Sequence, residues 1–192
     1  MRIEDGKGDG FFAGVDGDNR LLVDSQATQL MEYMALNKLA YMVYTTVLTL
    51  TAATESAILY LKNNDALHTM LIKKASVSLG KSNAAGTCIV KRVHAPTAGT
   101  IISDASAATV TNKDAAVSQP PSLVAYKGGE GKTATGGSEI SARLSSDGTI
   151  CDIAEDIILS IGNSLVLLVT PPTGNTSMKV AISVHLAMMP LQ

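Results

Sequence analysis

The triplet Gly131-Lys132-Thr133 has the residue types that close a phosphate-binding P-loop, in which successive backbone N–H groups and a lysine cradle the phosphates. The full pattern needs a glycine five positions before Gly131, and that position holds Tyr126. A P-loop also feeds the N-terminus of a helix, where the backbone N–H groups hold the anion. Here Thr133 runs into Ala-Thr-Gly-Gly-Ser, and adjacent glycines do not start a helix. The stretch Tyr126–Gly137 therefore reads as a flexible glycine loop without phosphate chemistry.

The other reactive residue types are sparse. There are three histidines, His68, His94 and His185, and no G-x-S-x-G turn to hold a hydrolytic serine. Cys151 precedes Asp152, but a nucleophilic cysteine needs a histidine nearby, and only the fold can bring one there. His185 lies on the polar face of the last strand pattern and reads as a surface or interface residue. Carboxylates cluster at Asp152, Glu155 and Asp156. A glycosidase needs two carboxyls facing across a groove, so these read as a solvated turn. Cys88 and Cys151 form no CxxC, and no zinc spacing exists. The reading is buried thiols, with a disulfide left open. Asp16-Gly17-Asp18-Asn19 departs from the EF-hand pattern and reads as a tight turn. No catalytic residue, cofactor or metal site is expected.

Composition narrows the partners. The 192 residues carry a formal charge of −2, and no basic stripe marks a nucleic-acid footprint. Lys73-Lys74 and Lys91-Arg92 read as solvated strand faces. The chain has no Trp, two Phe and five Tyr, too few for the stacking platforms that grip sugars or single strands. No apolar run reaches the roughly 18–20 residues that span a bilayer, and the N-terminus lacks the apolar region of a secretory signal. Neither nucleic acid nor membrane is expected as a partner.

The elements that would position these residues are strands. Residues 1–24 are rich in Gly and Asp and read as an extended arm, with Ile3, Phe11, Phe12 and Val15 as its apolar anchors. Such a glycine-rich segment loses much entropy on ordering and needs another surface. Ser25–Leu39 fits helix and strand periodicities alike. From Ala40 onward, runs rich in Val, Ile, Thr and Tyr are split by turn residues such as Asn63-Asn64-Asp65, Asp147-Gly148, Gly162-Asn163 and Gly174-Asn175. In the strand pattern Thr69–Gly80, Leu71, Ala75, Val77 and Leu79 stand among polar residues, and the run stops at a glycine. The segment Ser138–Thr149 alternates Ile140, Ala142 and Leu144 against Ser141, Arg143 and Ser145. In the last strand Met178, Val180, Ile182, Val184, Leu186 and Met188 point one way, the mark of one buried face. Residues 25–192 are therefore expected to form a single all-β domain, a jelly-roll β-sandwich behind the N-terminal arm.

Several stretches resemble structural proteins of tailed-bacteriophage virions. These are the opening MRIEDGKGDGFFAGVDGDNRLLVD, LTLTAATESAILYLKNND, the glycine loop AYKGGEGKTATGG, and the closing VTPPTGNTSMKVAISVHLA. Residues from about 80 to 120 carry no such signature. The resemblance implies a non-enzymatic virion component built on a β-sandwich or jelly roll. Its role would be capsid decoration (cement), often as a homotrimer on the major capsid protein. The alternative is a tail or fibre component, an adaptor or a host-binding tip.

Overall fold

The structure is a computed structural model and describes residues 14–15, 21–22, 34–35, 37–114, 122–146, 148–154 and 156–191. Of the expected arm, Gly14–Val15 (β1) pairs antiparallel with Leu21–Leu22 (β2). Ile3, Phe11 and Phe12 lie outside the described residues, and Val15 is described only through its backbone pairing. The ambiguous stretch is described only at its end. Residues 34 and 35 are helical, and Leu39 N–H closes the turn on the Met34 carbonyl at 2.7 Å.

The rest is nearly all strand. In chain order follow β3 (Ala40–Tyr44), β4 (Leu48–Leu50), β5 (Ser56–Asn63), β6 (His68–Leu79) and β7 (Thr87–His94). The short helix α1 (Thr100–Ser103), β8 (Ser106–Ala107), β9 (Thr109–Asn112) and β10 (Leu123–Lys127) make up the middle. The last group is β11 (Ser138–Ser146), β12 (Ile150–Ala154), β13 (Ile157–Leu159), β14 (Ser164–Thr170) and β15 (Met178–Pro190).

These strands form two antiparallel sheets stacked as a β-sandwich. The six-stranded sheet runs β11-β7-β14-β5-β10-β8. The seven-stranded sheet runs β12-β6-β15-β3-β9, with β13 also on β6 and β4 also on β15. Between them lies one apolar layer fed by both sheets, including Leu59 and Leu61 of β5, Leu165 and Leu167 of β14, and the even-numbered face of β15 from Met178 to Met188. Each such side chain removed from water contributes roughly 1.5–3 kcal/mol.

The alternation of β6 changes partway along the strand. On β6 the core residues are Met70 and Ile72, then Ala75, Val77 and Leu79, while Leu71 faces away from that layer. The cause is a register shift: Leu186 of β15 pairs with Ile72 and His185 with Lys74, which leaves Lys73 as an extra residue. A bulge of this kind inverts the in/out alternation beyond it.

A buried asparagine ties the turns together at each end of the sandwich. Asn63 Nδ2 donates to the His68 and Leu159 carbonyls, both at 2.9 Å, and its Oδ1 accepts from Asp65 N–H. At the opposite end Asn175 Nδ2 donates to the Leu50 carbonyl at 2.9 Å, and its Oδ1 accepts from the Ser82 hydroxyl. Both side chains are buried, so these bonds offset the cost of removing an amide from water.

Candidate functional site

The glycine loop is the first candidate, and the backbone N–H groups of Gly128, Gly129, Gly131, Lys132 and Thr133 are already used. Gly128 N–H donates to Ile58 O at 2.7 Å, and Gly129 N–H to Ala57 O at 3.2 Å. Gly131 N–H donates to Ser56 Oγ at 3.1 Å, and Thr133 N–H to Thr100 Oγ1 at 2.9 Å. Lys132 N–H turns back to Gly129 O, and its ammonium pairs with Asp104. In this conformation no convergent N–H set faces outward to wrap a phosphate. The stretch is a loop, as its glycines imply, but it is fastened rather than flexible. Glu130 fastens it further by accepting from Thr51 N–H at 2.7 Å, the Thr51 hydroxyl and Ala52 N–H. The bond from the Thr51 hydroxyl leads the effects that hold the Glu130 carboxyl below its usual range.

The reason for glycine here is close approach. A Cβ on Gly128 would lie 1.7 Å from the Ala57 carbonyl oxygen, and one on Gly99 would lie 2.3 Å from the Thr133 carbonyl oxygen. The loop and α1 cover the outer face of β5 and β14. Ile101, Ile102, Tyr126 and Ala134 pack there on Ala57, Tyr60, Val166 and Leu168, and Tyr60 stacks on Tyr126 with ring centroids 5.9 Å apart.

A second candidate sits where β7 and β11 meet β12. Lys91 is on the outer face, ion-paired with Glu55 at 2.9 Å and Glu139 at 3.5 Å. Arg92 is not on a solvated face as its sequence position suggests. It turns inward and donates through Nη1 to the Ile153 carbonyl, while Arg143 of β11 donates to the Asp152 carbonyl at 2.5 Å. Arg92 Nε, His94 Nε2 and Ser141 Oγ are buried here without hydrogen-bond partners. Burial, and then the Arg92 charge, push His94 below its ordinary pKa. The two arginines bridge the sheets and occupy carbonyls of an edge strand.

The carboxylates are used in pairing. Asp152 accepts from the Ser76 hydroxyl at 2.6 Å and pairs with Lys74 at 2.9 Å, and Asp156 pairs with Lys73. Glu155 lies outside the described residues. His185 stands on the outer face of the seven-stranded sheet, lowered in pKa by burial and then by Lys113 and Lys74. Cys88 and Cys151 are both buried thiols, and burial leads in raising the Cys151 pKa. Among the described residues no group of three His, Cys, Asp or Glu is placed to hold a metal ion, and no helix is long and apolar enough to cross a membrane.

The third candidate is a strand edge. Edge strands carry unpaired backbone groups and attract other chains unless short, bulged or blocked. Among the described residues, three of the four edges of the sandwich are managed in that way. β8 has two residues and β9 has four. The β12/β13 edge is split between two short strands, with Arg92 and Arg143 on its carbonyls. The fourth edge, β11, has nine residues with one bulge between Glu139 and Ser141, and among the described residues it pairs only with β7. Its Leu144 is 73% exposed and its Ile140 49% exposed, so the alternation seen in the sequence turns its polar side, not its apolar side, toward the sandwich interior. No protein-family model matches the chain, and no curated protein matches it in sequence.

Proposed function

We propose that the chain is a non-enzymatic structural protein of a tailed-bacteriophage virion, a capsid decoration subunit built on a jelly roll that associates with copies of itself. The observation that carries this reading is the strand order. With β3/β4 as the first strand and β8 to β10 as an insertion, the path crosses between the sheets at each step except from β7 to β11. One sheet then reads first, last, third, sixth (β3/β4, β15, β6, β12/β13), and the other reads second, seventh, fourth, fifth (β5, β14, β7, β11). That is the order produced by two interlocked Greek keys. The resemblance of the two chain ends to virion proteins supports it.

In this role the sandwich acts as a stiff body, and the segment before residue 25 binds the shell. Burial of Phe11 and Phe12, roughly 1.5–3 kcal/mol each, offsets the entropy lost on ordering the glycine-rich lead. Weak contacts repeated over a lattice add up through effective concentration. Deleting residues 1–20 is expected to leave a folded protein that no longer co-sediments with undecorated heads. Full binding by the truncated protein removes the arm from the account. Binding to purified tails instead of heads replaces decoration with a tail role.

A further inference from the structure

We propose that β11 is the seam between two copies of this chain, paired antiparallel to β11 of the partner across a two-fold axis. The inference rests on the self-association in the reading above, and not on its virion part.

The edge itself identifies the chemistry of its partner. Among the described residues, the strand from Ser138 to Ser146 has β7 on one side and no strand on the other. A row of unpaired backbone donors and acceptors fits another extended strand better than any side-chain surface. The chain blocks or shortens its other three edges and leaves this one long. The β11 edge contains no proline and no lysine, two residues that commonly guard edges; its bulge lies near one end, between Glu139 and Ser141, and from Ser141 to Ser146 its pairing is regular.

The sequence of the edge favours a second copy. A two-fold axis through Ala142 sets residue pairs whose numbers sum to 284, since 2 × 142 = 284. Leu144 then stands opposite Ile140 of the second copy and Arg143 opposite Ser141, and the shift at Ile140 ends the regular pairing before Glu139. The two large apolar side chains that β11 leaves to solvent cover each other, and no like charges face. A two-fold axis through Arg143 would oppose two guanidiniums. An isologous contact of this kind closes at two copies.

The test is the solution mass by light scattering, with circular dichroism to confirm folding. The intact protein is expected at twice 19.9 kDa. Ile140→Lys and Leu144→Glu, each at an exposed position, are expected to halve the mass with the fold unchanged. Combining them sets opposite charges against each other across the seam and is expected to restore the doubled mass. A mass of one copy or of three for the intact protein overturns the seam, as does a doubled mass unmoved by the single variants. Failure of the combined variant to recover overturns the register through Ala142. None of these outcomes bears on whether the protein binds heads, which is read separately by co-sedimentation.

Discussion

The two halves of the six-stranded sheet are finished differently. Over β5 and β14 the chain folds its own glycine loop and α1 onto the outer face, and both strands are buried on both sides. At β11 the same sheet ends in a bare edge with Ile140 and Leu144 in solvent. The covered half resembles a place for chemistry in sequence, because it carries Gly-Lys-Thr, yet every polar group named there is bonded inward. The bare half has no motif at all, yet among the described residues its edge strand is paired on one side only. Capacity left over, more than residue type, marks where a partner fits.

The comparison is broken most directly by truncating a leucine on each half. Leu167→Ala in β14 removes a fully buried side chain and is expected to cost about 2–5 kcal/mol in urea unfolding. Leu144→Ala on β11 is expected to change stability by about 0.5 kcal/mol or less. Both are measured at the lowest workable protein concentration, so that association adds nothing to the folded state. Equal losses would mean that β11 is packed as tightly as β14.

A smaller effect sharpens the account of the loop. Gly128→Ala drives a methyl group into the Ala57 carbonyl and is expected to cost about 1–3 kcal/mol. Gly129→Ala meets nothing within 4 Å and is expected to stay within about 0.5 kcal/mol. If both variants are neutral, the loop is not fastened on β5.

The smallest effect is a pH dependence. His94 and His185 both have folded pKa values below the ordinary value, with burial as the leading cause. A histidine held neutral binds fewer protons folded than unfolded. Its contribution is therefore complete above the unfolded value of about 6.5 and is lost as pH falls from there through the folded value. Stability is expected to decline on acidification below that point, and His94→Gln to flatten the decline. A profile unchanged by that substitution would remove His94 from the coupling.

Much of the fold was legible in the sequence. The turns at Asn63-Asn64-Asp65, Gly162-Asn163 and Gly174-Asn175 lie where their residue types place them, and the inward face of β15 follows its alternation from Met178 to Met188. What stayed hidden depends on tertiary pairing. The extra residue at Lys73 inverts the alternation of β6, and no local signal marks it. Arg92 turns inward because the β12 carbonyls need donors, a demand set by a strand some sixty residues later (153 − 92 = 61). The alternation of β11 was visible, but its direction was not, because an edge strand with its apolar side out has the same period as one with its apolar side in. The buried roles of Asn63 and Asn175 could not be told from ordinary turn asparagines.

The measurement that bears most directly on the account is quantitative mass spectrometry of phage particles banded from a lysate, with heads and tails separated. The account predicts this chain in the head fraction, at a fixed stoichiometric ratio to the major shell protein. Its absence from banded particles, while it is abundant in the same lysate, would contradict the virion role.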